Sequence, residues 1–429
     1  MKKNIFQIFI MLYLLFPFSL NPLHSVQKGI YYFAVLCSLV ILAFKFIRIK
    51  INRRSAQFIF LFIICFTFLF FLTIFIPFFY PTDDFSYFST IFDYILKCFI
   101  LSTLALMCNS VEDFLFTFSK ATAMYVIFSI ILLFPPIRLV YTNLVFSVET
   151  DASDFIESQG ILFYTRYGLQ GFSGFEHTFK CSLAFIFLIY LLTQISIKKQ
   201  KIKIFFLMIL NFVGCCFYGR VGILSCCLTF IFYTFYVAIK QKQYKILTFI
   251  IIVVVLFIST FLILFEQITS NPITNWMFEP FIKLVEDGKL ESASSDGLKT
   301  MYFLPSIDTF LFGDGYYSQN GHYYMRTDVG YLRPLLFWGI FGSLIYYLCF
   351  FILLVPIYNS LKNKKGDFLV FLCIFQNFFY EIKGETNLVF IALLFSINII
   401  ILSKNMSKHK FLLYIKKMMF KLPKENHGE

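Results

Sequence analysis

Long apolar stretches separated by short polar connectors are the dominant pattern along this chain. A helix needs about 20 predominantly apolar residues to cross a bilayer. The pattern predicts an all-α integral membrane protein with about twelve transmembrane helices in one polytopic domain over residues 1–429. The stretches lie at roughly 4–20, 29–47, 57–80, 87–107, 118–137, 178–196, 204–218, 221–239, 246–265, 334–357, 367–382 and 386–403.

Basic connectors between alternate stretches set the predicted orientation, because Lys and Arg concentrate on the cytoplasmic side of a membrane. Both termini are therefore expected in the cytoplasm. Two long connectors, at about 138–177 and 266–333, become outer loops, and loops of that length usually carry function or lack fixed structure. Within the second loop we predict a short helix at Phe278–Val285 and a flexible tip at Ser292–Ser295. The basic connectors are 48–54, 198–201, 240–245, 362–365 and the tail after Ser403.

The composition supports a lipid-embedded bundle and excludes a soluble domain. The chain is 59% hydrophobic, 21% aromatic and 14% charged. Its net charge of +13 follows from the predicted topology, so we expect no nucleic-acid partner and take the bilayer as the surroundings. The 11 cysteines are interpreted as small buried hydrophobic residues, and the sequence predicts no disulfide, metal site or cofactor.

Five of the eight arginines lie in or beside the predicted outer loops, against the orientation rule. Arginine binds phosphate and carboxylate through a planar fork of donors and stays charged. The set therefore indicates an anionic, phosphate-bearing substrate at the outer face. Arg220 could instead snorkel to lipid headgroups, Arg166 is undecided, and Arg138 is interpreted as a helix-end anchor. The five are Arg138, Arg166, Arg220, Arg326 and Arg333.

The segment from Leu311 to Gly342 concentrates the polar groups that could bind such a substrate. Gly313 and Gly315 allow tight turns close to a ligand. Arg326 and Arg333 flank Asp328, so they could hold a diphosphate. Four tyrosines offer flat faces with a polar edge, which suit sugar rings; the alternative interpretation is an aromatic belt with snorkelling arginines. The tyrosines are Tyr316, Tyr317, Tyr323 and Tyr324.

This segment resembles the signature of the O-antigen polymerase and ligase families, in which an outer loop ends in a Gly-rich turn, a polar motif and a Gly-Ile-x-Gly-like step, here Gly339–Gly342. Three further segments are similar to the family pattern. Ligases tend to place His-Asn where this chain has Thr327-Asp328, which favours a polymerase. The three segments are Gly171–His177, Gly219–Gly222 and Glu381–Glu385.

The resemblance implies a membrane glycan polymerase that joins oligosaccharide repeat units carried on polyprenyl diphosphate, at the outer face of the cytoplasmic membrane, for O-antigen, lipopolysaccharide or capsule. An acceptor hydroxyl would displace polyprenyl diphosphate in a metal-independent, inverting glycosyl transfer. Arg220 with Arg326 or Arg333 would clamp the diphosphate, and Arg166 is a further binding candidate. The implied partners are the two lipid-linked glycans, with a chain-length regulator as a further candidate.

The general base is left open among three residues, Asp328, Glu176 and His322. Asp93 and Lys97 lie four residues apart in the predicted fourth span, so they can neutralise each other. Glu381 and Glu385 are expected at a solvated rim, and His24 and His177 are expected to be solvated.

The rival functions are a lipid-linked oligosaccharide flippase or secondary transporter, an O-antigen ligase, and a non-catalytic scaffold. Transporters of this size usually show internal pseudo-repeats and short outer loops. This chain shows no such repeat and has a long late outer loop, which favours the polymerase.

Overall fold

The computed structural model describes residues 2–20, 23–48, 53–145, 166–172, 174–195, 197–240, 242, 255, 258–289, 291–362 and 365–404. Within these ranges eight helices are long and apolar enough to cross a membrane, and two shorter apolar helices lie at Ile5–Leu15 and Asn387–Ser403. The predicted all-α, multi-pass architecture is confirmed. Most of the predicted span at 246–265 and of the first outer loop lies outside the described residues.

The described residues up to Val145 form six helices, and each long one overlaps a predicted apolar stretch. Their bounds are α1 Lys2–Leu15, α2 His24–Arg48, α3 Arg53–Phe79, α4 Ser86–Met107, α5 Val111–Leu132 and α6 Pro135–Leu144.

The second part contains the helices of the remaining predicted apolar stretches and four shorter helices between Phe265 and Phe312. Their bounds are α7 Phe175–Gln194, α8 Lys198–Tyr218, α9 Arg220–Lys240, α10 Phe265–Ser270, α11 Pro272–Glu286, α12 Ala293–Thr300, α13 Ile307–Phe312, α14 Leu332–Leu361, α15 Gly366–Glu381 and α16 Asn387–Lys404. Residues 258–263 are also helical.

The predicted fifth span, 118–137, is displaced by several residues from the helix that the structure has. Ser110 caps α5, accepting a 3.0 Å hydrogen bond from the backbone N–H of Asp113, and acidic residues in the first turn favour a helix N-terminus. The helix ends at Leu132 because Pro135 and Pro136 start α6. This first turn is polar, so the hydrophobic pattern alone places it in a connector.

Helix α7 is the centre of the bundle. All its residues from His177 to Leu191 are buried, and it packs against α5, α8, α9 and α15. A helix that is buried on every side is apolar all round, as this one is apart from a few polar groups. The expectation that His177 is solvated is wrong. It is buried beside Phe16 and Tyr125 because it lies on a helix that other helices surround.

The long late loop is more ordered than the sequence indicated. The predicted short helix is present and extends over the whole of α11. The predicted flexible tip at Ser292–Ser295 is wrong, since Ser292 caps α12 by accepting a 3.2 Å hydrogen bond from the backbone of Ser295. The described loops also contain two short antiparallel hairpins, whose strands have two residues each. They are β1 Tyr167–Gly168 with β2 Gly171–Phe172, and β3 Ser318–Gln319 with β4 His322–Tyr323.

The helix ends that the sequence assigned to the outer side meet at one end of the bundle. Asp84 accepts hydrogen bonds from the backbone of Tyr317 and Ser318, and the Tyr87 hydroxyl donates to Glu385. The backbone N–H of Gly330 donates to the carbonyl of Glu381 at 2.8 Å. At the other end, Lys365 Nζ donates to the carbonyl of Thr193 at 2.9 Å. The candidate site lies at the first of these ends.

Candidate functional site

A cavity of about 550 Å³ opens among the starts of α4, α7, α14 and α16 and the end of α15. It is lined by aromatic side chains and by an unusual number of charged ones for this protein. The lining residues are Ser86, Thr90, Tyr94, Phe175, Glu176, Tyr317, Ser318, Tyr323, Asp328, Arg333, Lys383, Gly384, Glu385 and Leu388.

The Gly/Tyr-rich loop is fixed over this cavity by Asp84, which lies between α3 and α4. One carboxylate oxygen of Asp84 accepts hydrogen bonds from the backbone N–H groups of Tyr317 at 2.6 Å and Ser318 at 2.7 Å. Burial alone would raise the pKa of Asp84, but hydrogen bonds from Ser86, Ser318 and Tyr317 outweigh it and hold the pKa below its ordinary value. Asp84 therefore stays ionised as a loop anchor.

A close backbone approach at Gly330 brings two parts of the site together. A Cβ at this position would lie 2.5 Å from the carbonyl oxygen of Gly384, so only glycine lets the segment before α14 lie against the turn between α15 and α16. Arg333 and Lys383 consequently line the same cavity.

Arg333 is the buried cation of the cavity, with 9% of its surface exposed. Its guanidinium carbon lies 3.3 Å from the centroid of the Tyr323 ring, and its Nη2 lies 3.5 Å from Asp328 Oδ1. Among the described residues its Nε has no hydrogen-bond partner. A buried guanidinium with donor capacity left over can bind a further anion.

Glu385 also lines the cavity, and three tyrosines hold its carboxylate. The hydroxyls of Tyr87 and Tyr346 donate to Glu385 Oε1 at 2.7 and 2.6 Å, and that of Tyr317 donates to Oε2 at 3.0 Å. These three hydrogen bonds fix the position of the carboxylate in the cavity wall. The ring of Tyr317 also stacks on that of Tyr87 at 4.1 Å, so Tyr317 is fixed at both ends.

Glu381 and Glu385 had been expected at a solvated rim, and the structure contradicts this for Glu381. Glu381 is 1% exposed and accepts hydrogen bonds from the backbone of Thr386 at 2.6 Å and of Asn387 at 2.8 Å, and from the hydroxyl of Tyr347 at 2.8 Å. It caps the N-terminus of α16 through these two backbone hydrogen bonds.

Glu176 reaches the cavity from the first turn of α7, and 45% of its side chain is exposed. It forms a 2.7 Å ion pair with Lys180 and accepts a 3.3 Å hydrogen bond from the Tyr94 hydroxyl. Lys180 is buried and also donates to the carbonyl of Leu15. Buried charges persist when they are paired and hydrogen-bonded, as this lysine is.

A second cationic group lies beside the cavity around Trp276. The guanidinium carbons of Arg166 and Arg220 lie 4.6 and 5.2 Å from the Trp276 ring centroid. Arg220 forms an ion pair with Glu279, which also lies 3.4 Å from Lys283. This group, defined as Arg166, Arg220 and Lys283 with the carboxylate of Glu279, keeps an excess of positive charge.

Lys383, in the turn before α16, lines the cavity and lies within the electrostatic influence of Arg166 and Arg220. Burial and the positive charges of Arg166 and Arg220 lower the pKa of Lys383 to about 8, against the opposing effect of Asp328. The pKa of Arg166 is likewise lowered to about 10 by burial and by Arg220. Cations crowded together in this way favour binding of an anion, which would relieve their repulsion.

Five of the thirteen candidate residues line the cavity: Glu176, Tyr317, Tyr323, Asp328 and Arg333. Arg166 and Arg220 lie in the group around Trp276. His322 and Arg326 are exposed in the loop above and do not line the cavity. Tyr316 and Tyr324 also lie outside the lining, where their rings stack at 5.0 Å and Tyr324 donates to Asp314 at 3.1 Å.

Gly313 and Gly315 make close contacts with protein. Gly313, with φ of +76°, lies against Gly339, whose φ is +69° inside α14; a Cβ on Gly313 would lie 2.5 Å from the Phe337 carbonyl oxygen. Gly315 packs against Ile76 and Tyr80 of the α3 end. Contact of either glycine with a ligand stays a prediction.

Sequence reasoning missed three residues of the site: Asp84, Lys383 and Glu385. The available signal for Lys383 and Glu385 was the short, charged turn at 381–385, which the charge pattern predicted on the same side as the two long loops. In the described part of the chain no group of three or more His, Cys, Asp or Glu side chains could hold a metal ion.

The helices and this site define a multi-pass, all-α membrane protein with a charged cavity at one end of its bundle. No protein-family model matches the chain, and comparison with curated proteins gives no match.

Proposed function

We propose that this protein is a membrane glycan polymerase that joins oligosaccharide repeat units carried on polyprenyl diphosphate. The observation that carries the proposal is the cavity in which Arg333 and Lys383 face the carboxylates of Glu176 and Asp328 at the end of an apolar bundle. Such a cavity offers cations for a diphosphate, a carboxylate for a hydroxyl proton and aromatic rings for sugars.

The arrangement of the family-like segments also supports this function. Residues from Gly171–His177, Thr327–Gly342 and Glu381–Glu385 contribute side chains to the one cavity, although they are far apart in sequence. Arg220, from the fourth segment, acts on Lys383 from outside the cavity. Segments that resemble functional motifs are expected to converge in this way if they share a substrate.

The proposed topology has about twelve spans in the cytoplasmic membrane, both termini in the cytoplasm and the cavity open to the outer face. It is supported by the meeting, at the cavity, of the helix ends that the charge pattern assigned to the outside. The product would be an O-antigen, a capsule or another surface polysaccharide.

In the proposed reaction an acceptor hydroxyl attacks the anomeric carbon of the donor, and the bond to the diphosphate breaks with inversion. The hydroxyl proton passes to a carboxylate, and polyprenyl diphosphate leaves with the bonding electrons. Arg333 and Lys383 stabilise the charge that develops on the leaving diphosphate. Fixed cations do this best where water is partly excluded, as around the buried Arg333.

Glu176 is the proposed general base among the three candidates. Asp328 is the ion-pair partner of Arg333 and would lie beside the leaving group, whereas inversion requires attack from the opposite side. Glu176 comes from a different helix and is accessible from the cavity. The proposal gives His322 and Arg326 no part in the reaction.

The two cationic groups match the two lipid diphosphates that the reaction needs. The proposal assigns the donor diphosphate to Arg333 and Lys383, and the acceptor diphosphate to Arg166 and Arg220 beside Trp276. The acceptor diphosphate does not leave, so its cations contribute binding and orientation rather than charge stabilisation in the transition state.

Deletion of the gene in its host tests the proposed function against its alternatives. A polymerase mutant still displays a single repeat unit on the final acceptor. A flippase mutant displays none, and a ligase mutant accumulates finished polymer on the lipid carrier. A single-unit phenotype that is restored by the wild-type gene supports the proposal, and either of the other two phenotypes overturns it.

A further inference from the structure

An apolar groove of about 290 Å³ runs down the bundle from the charged cavity, between α3, α4 and α16. Its walls are aliphatic and aromatic for most of their length. The groove is an unfilled volume on helices that cross the membrane, so its occupant must be apolar. The residues that form the walls include Ile63, Phe66, Cys98, Phe99, Ile391 and Phe395.

Two residues, Tyr94 and Leu388, line both the groove and the charged cavity. The Tyr94 hydroxyl donates to Glu176 at 3.3 Å inside the cavity. Tyr94 also forms part of the groove wall. The polar cavity and the apolar groove therefore adjoin at these two residues, an arrangement that suits an amphiphile with an anionic head.

We propose, on the basis of the function proposed above, that the groove holds the first isoprene units of the donor's polyprenyl chain while its diphosphate lies in the cavity. The charges decide which end lies where, since Arg333 and Lys383 attract the diphosphate and the groove walls carry no charged side chain. An ordinary phospholipid is the competing occupant that the test must exclude.

The groove contributes alignment rather than affinity. Lipid tails in the bilayer are as apolar as the groove walls, so moving the chain from one to the other releases little free energy. A tail fixed in the groove, however, sets the direction from which the diphosphate enters the cavity. A misplacement of about 1 Å can cost about 10²-fold in rate, so alignment of the donor is a measurable contribution.

Adjacent isoleucines on α3 give a matched pair of variants. Ile63 lines the groove and is 46% exposed, whereas Ile64 is 50% exposed and does not line it. Ile63→Trp fills the groove, and Ile64→Trp places the same side chain toward the bilayer. Both positions are accessible, so both variants are expected to fold; protein level and melting temperature check this.

The first measurement is kcat/KM of the full-length protein in proteoliposomes with two donors, one on a polyprenyl chain and one on a short alkyl chain that ends before the groove. Ile63→Trp is expected to lower kcat/KM for the polyprenyl donor at least about 10-fold and to leave the short-chain donor unchanged. Ile64→Trp should match wild type with both. Equal behaviour of the two variants with the polyprenyl donor overturns the inference.

The second measurement needs no turnover and so separates this inference from the proposed function. A benzophenone-bearing isoprenoid diphosphate is crosslinked to the wild-type protein, and labelled peptides are identified by mass spectrometry. Labelling of α3, α4 or α16 that polyprenyl phosphate competes away, but phosphatidylglycerol does not, supports the groove even if no polymer forms. Labelling elsewhere, or equal competition by phosphatidylglycerol, overturns the groove proposal. The proposed polymerase function would still stand if the protein forms polymer.

Discussion

The guanidinium of Arg333 lies over the ring of Tyr323, 3.3 Å from its centroid, and faces a cavity that also contains Lys383. Stacking on an aromatic face is a property of arginine that lysine shares only weakly, because the guanidinium is planar and less strongly hydrated. The ring therefore fixes the direction of the donors of Arg333 toward the cavity.

Replacing Arg333 by Lys is expected to lower polymerisation about 10²-fold at unchanged protein level. The charge remains, but the stacking on Tyr323 and the two-point hydrogen bonding to a diphosphate are lost. Chain-length ladders and initial rates measure the effect. Arg138→Lys, on an arginine of α6 that does not line the cavity, is the control and should give normal ladders. Equal ladders from both variants would remove Arg333 from the mechanism.

The pKa of Lys383 predicts an alkaline loss of activity. Because burial and two arginines lower this pKa from 10.5 to about 8, Lys383 loses its charge as the pH rises through 8, and kcat/KM should fall. Lys383→Arg keeps the charge, so it should remove this decline. A decline that persists in Lys383→Arg would assign it to another group.

Stability should change in the opposite direction over the same pH range. The fold disfavours the charged form of Lys383, since its folded pKa lies below its ordinary value of 10.5. The destabilisation is therefore present below about pH 8 and is relieved between about 8 and 10.5. Melting temperatures of wild type and Lys383→Met across this range check the sign: the difference between them should shrink as the pH rises.

Arg220→Lys separates a substrate role of this arginine from its ion pair with Glu279. Lysine can keep the pair, so protein level and melting temperature should stay near wild type. Polymerisation should fall, mainly through a higher KM for the acceptor, because the planar fork beside Trp276 is lost. Lys283→Arg changes the other cation on the same carboxylate and should leave the ladders normal. Normal ladders from Arg220→Lys would show that Arg220 only holds the fold.

Gly339→Ala tests the backbone contact that supports the cavity loop. Gly339 has φ of +69°, and a Cβ there would overlap the Leu311 carbonyl, so strain of about 1–3 kcal/mol or more is expected. The unfolding temperature should fall, and the loop from Gly313 onward should become sensitive to protease. Gly297→Ala in α12 has nothing within 4 Å and should be neutral or slightly stabilising. Equal stability of the two variants would contradict the contact.

The helices could be predicted from the sequence where an apolar stretch is long enough to cross a membrane. Even the short turns at Gly219 and at 382–386 were located, because polar residues interrupt apolar stretches of spanning length. The start of α5 was misplaced because its first turn is polar. Ser110 followed by Glu112 and Asp113 was the available capping signal.

The candidate site was predicted only where its residues carry a local motif. Arg333, Asp328 and Tyr323 lie within one segment, and the sequence found them together. Asp84 contacts Tyr317, 233 residues away, and Glu385 contacts Tyr87, 298 residues away, and no local pattern reports such a contact. The ion pair of Arg220 with Glu279 was missed for the same reason.

The most direct test of the central proposal is product analysis with the purified full-length protein in liposomes and a synthetic repeat unit on polyprenyl diphosphate. The proposal predicts a ladder of longer glycans, with one polyprenyl diphosphate released for each new linkage and the anomeric configuration inverted. Lipid-linked single units that remain unextended, whether or not they cross the bilayer, would contradict it.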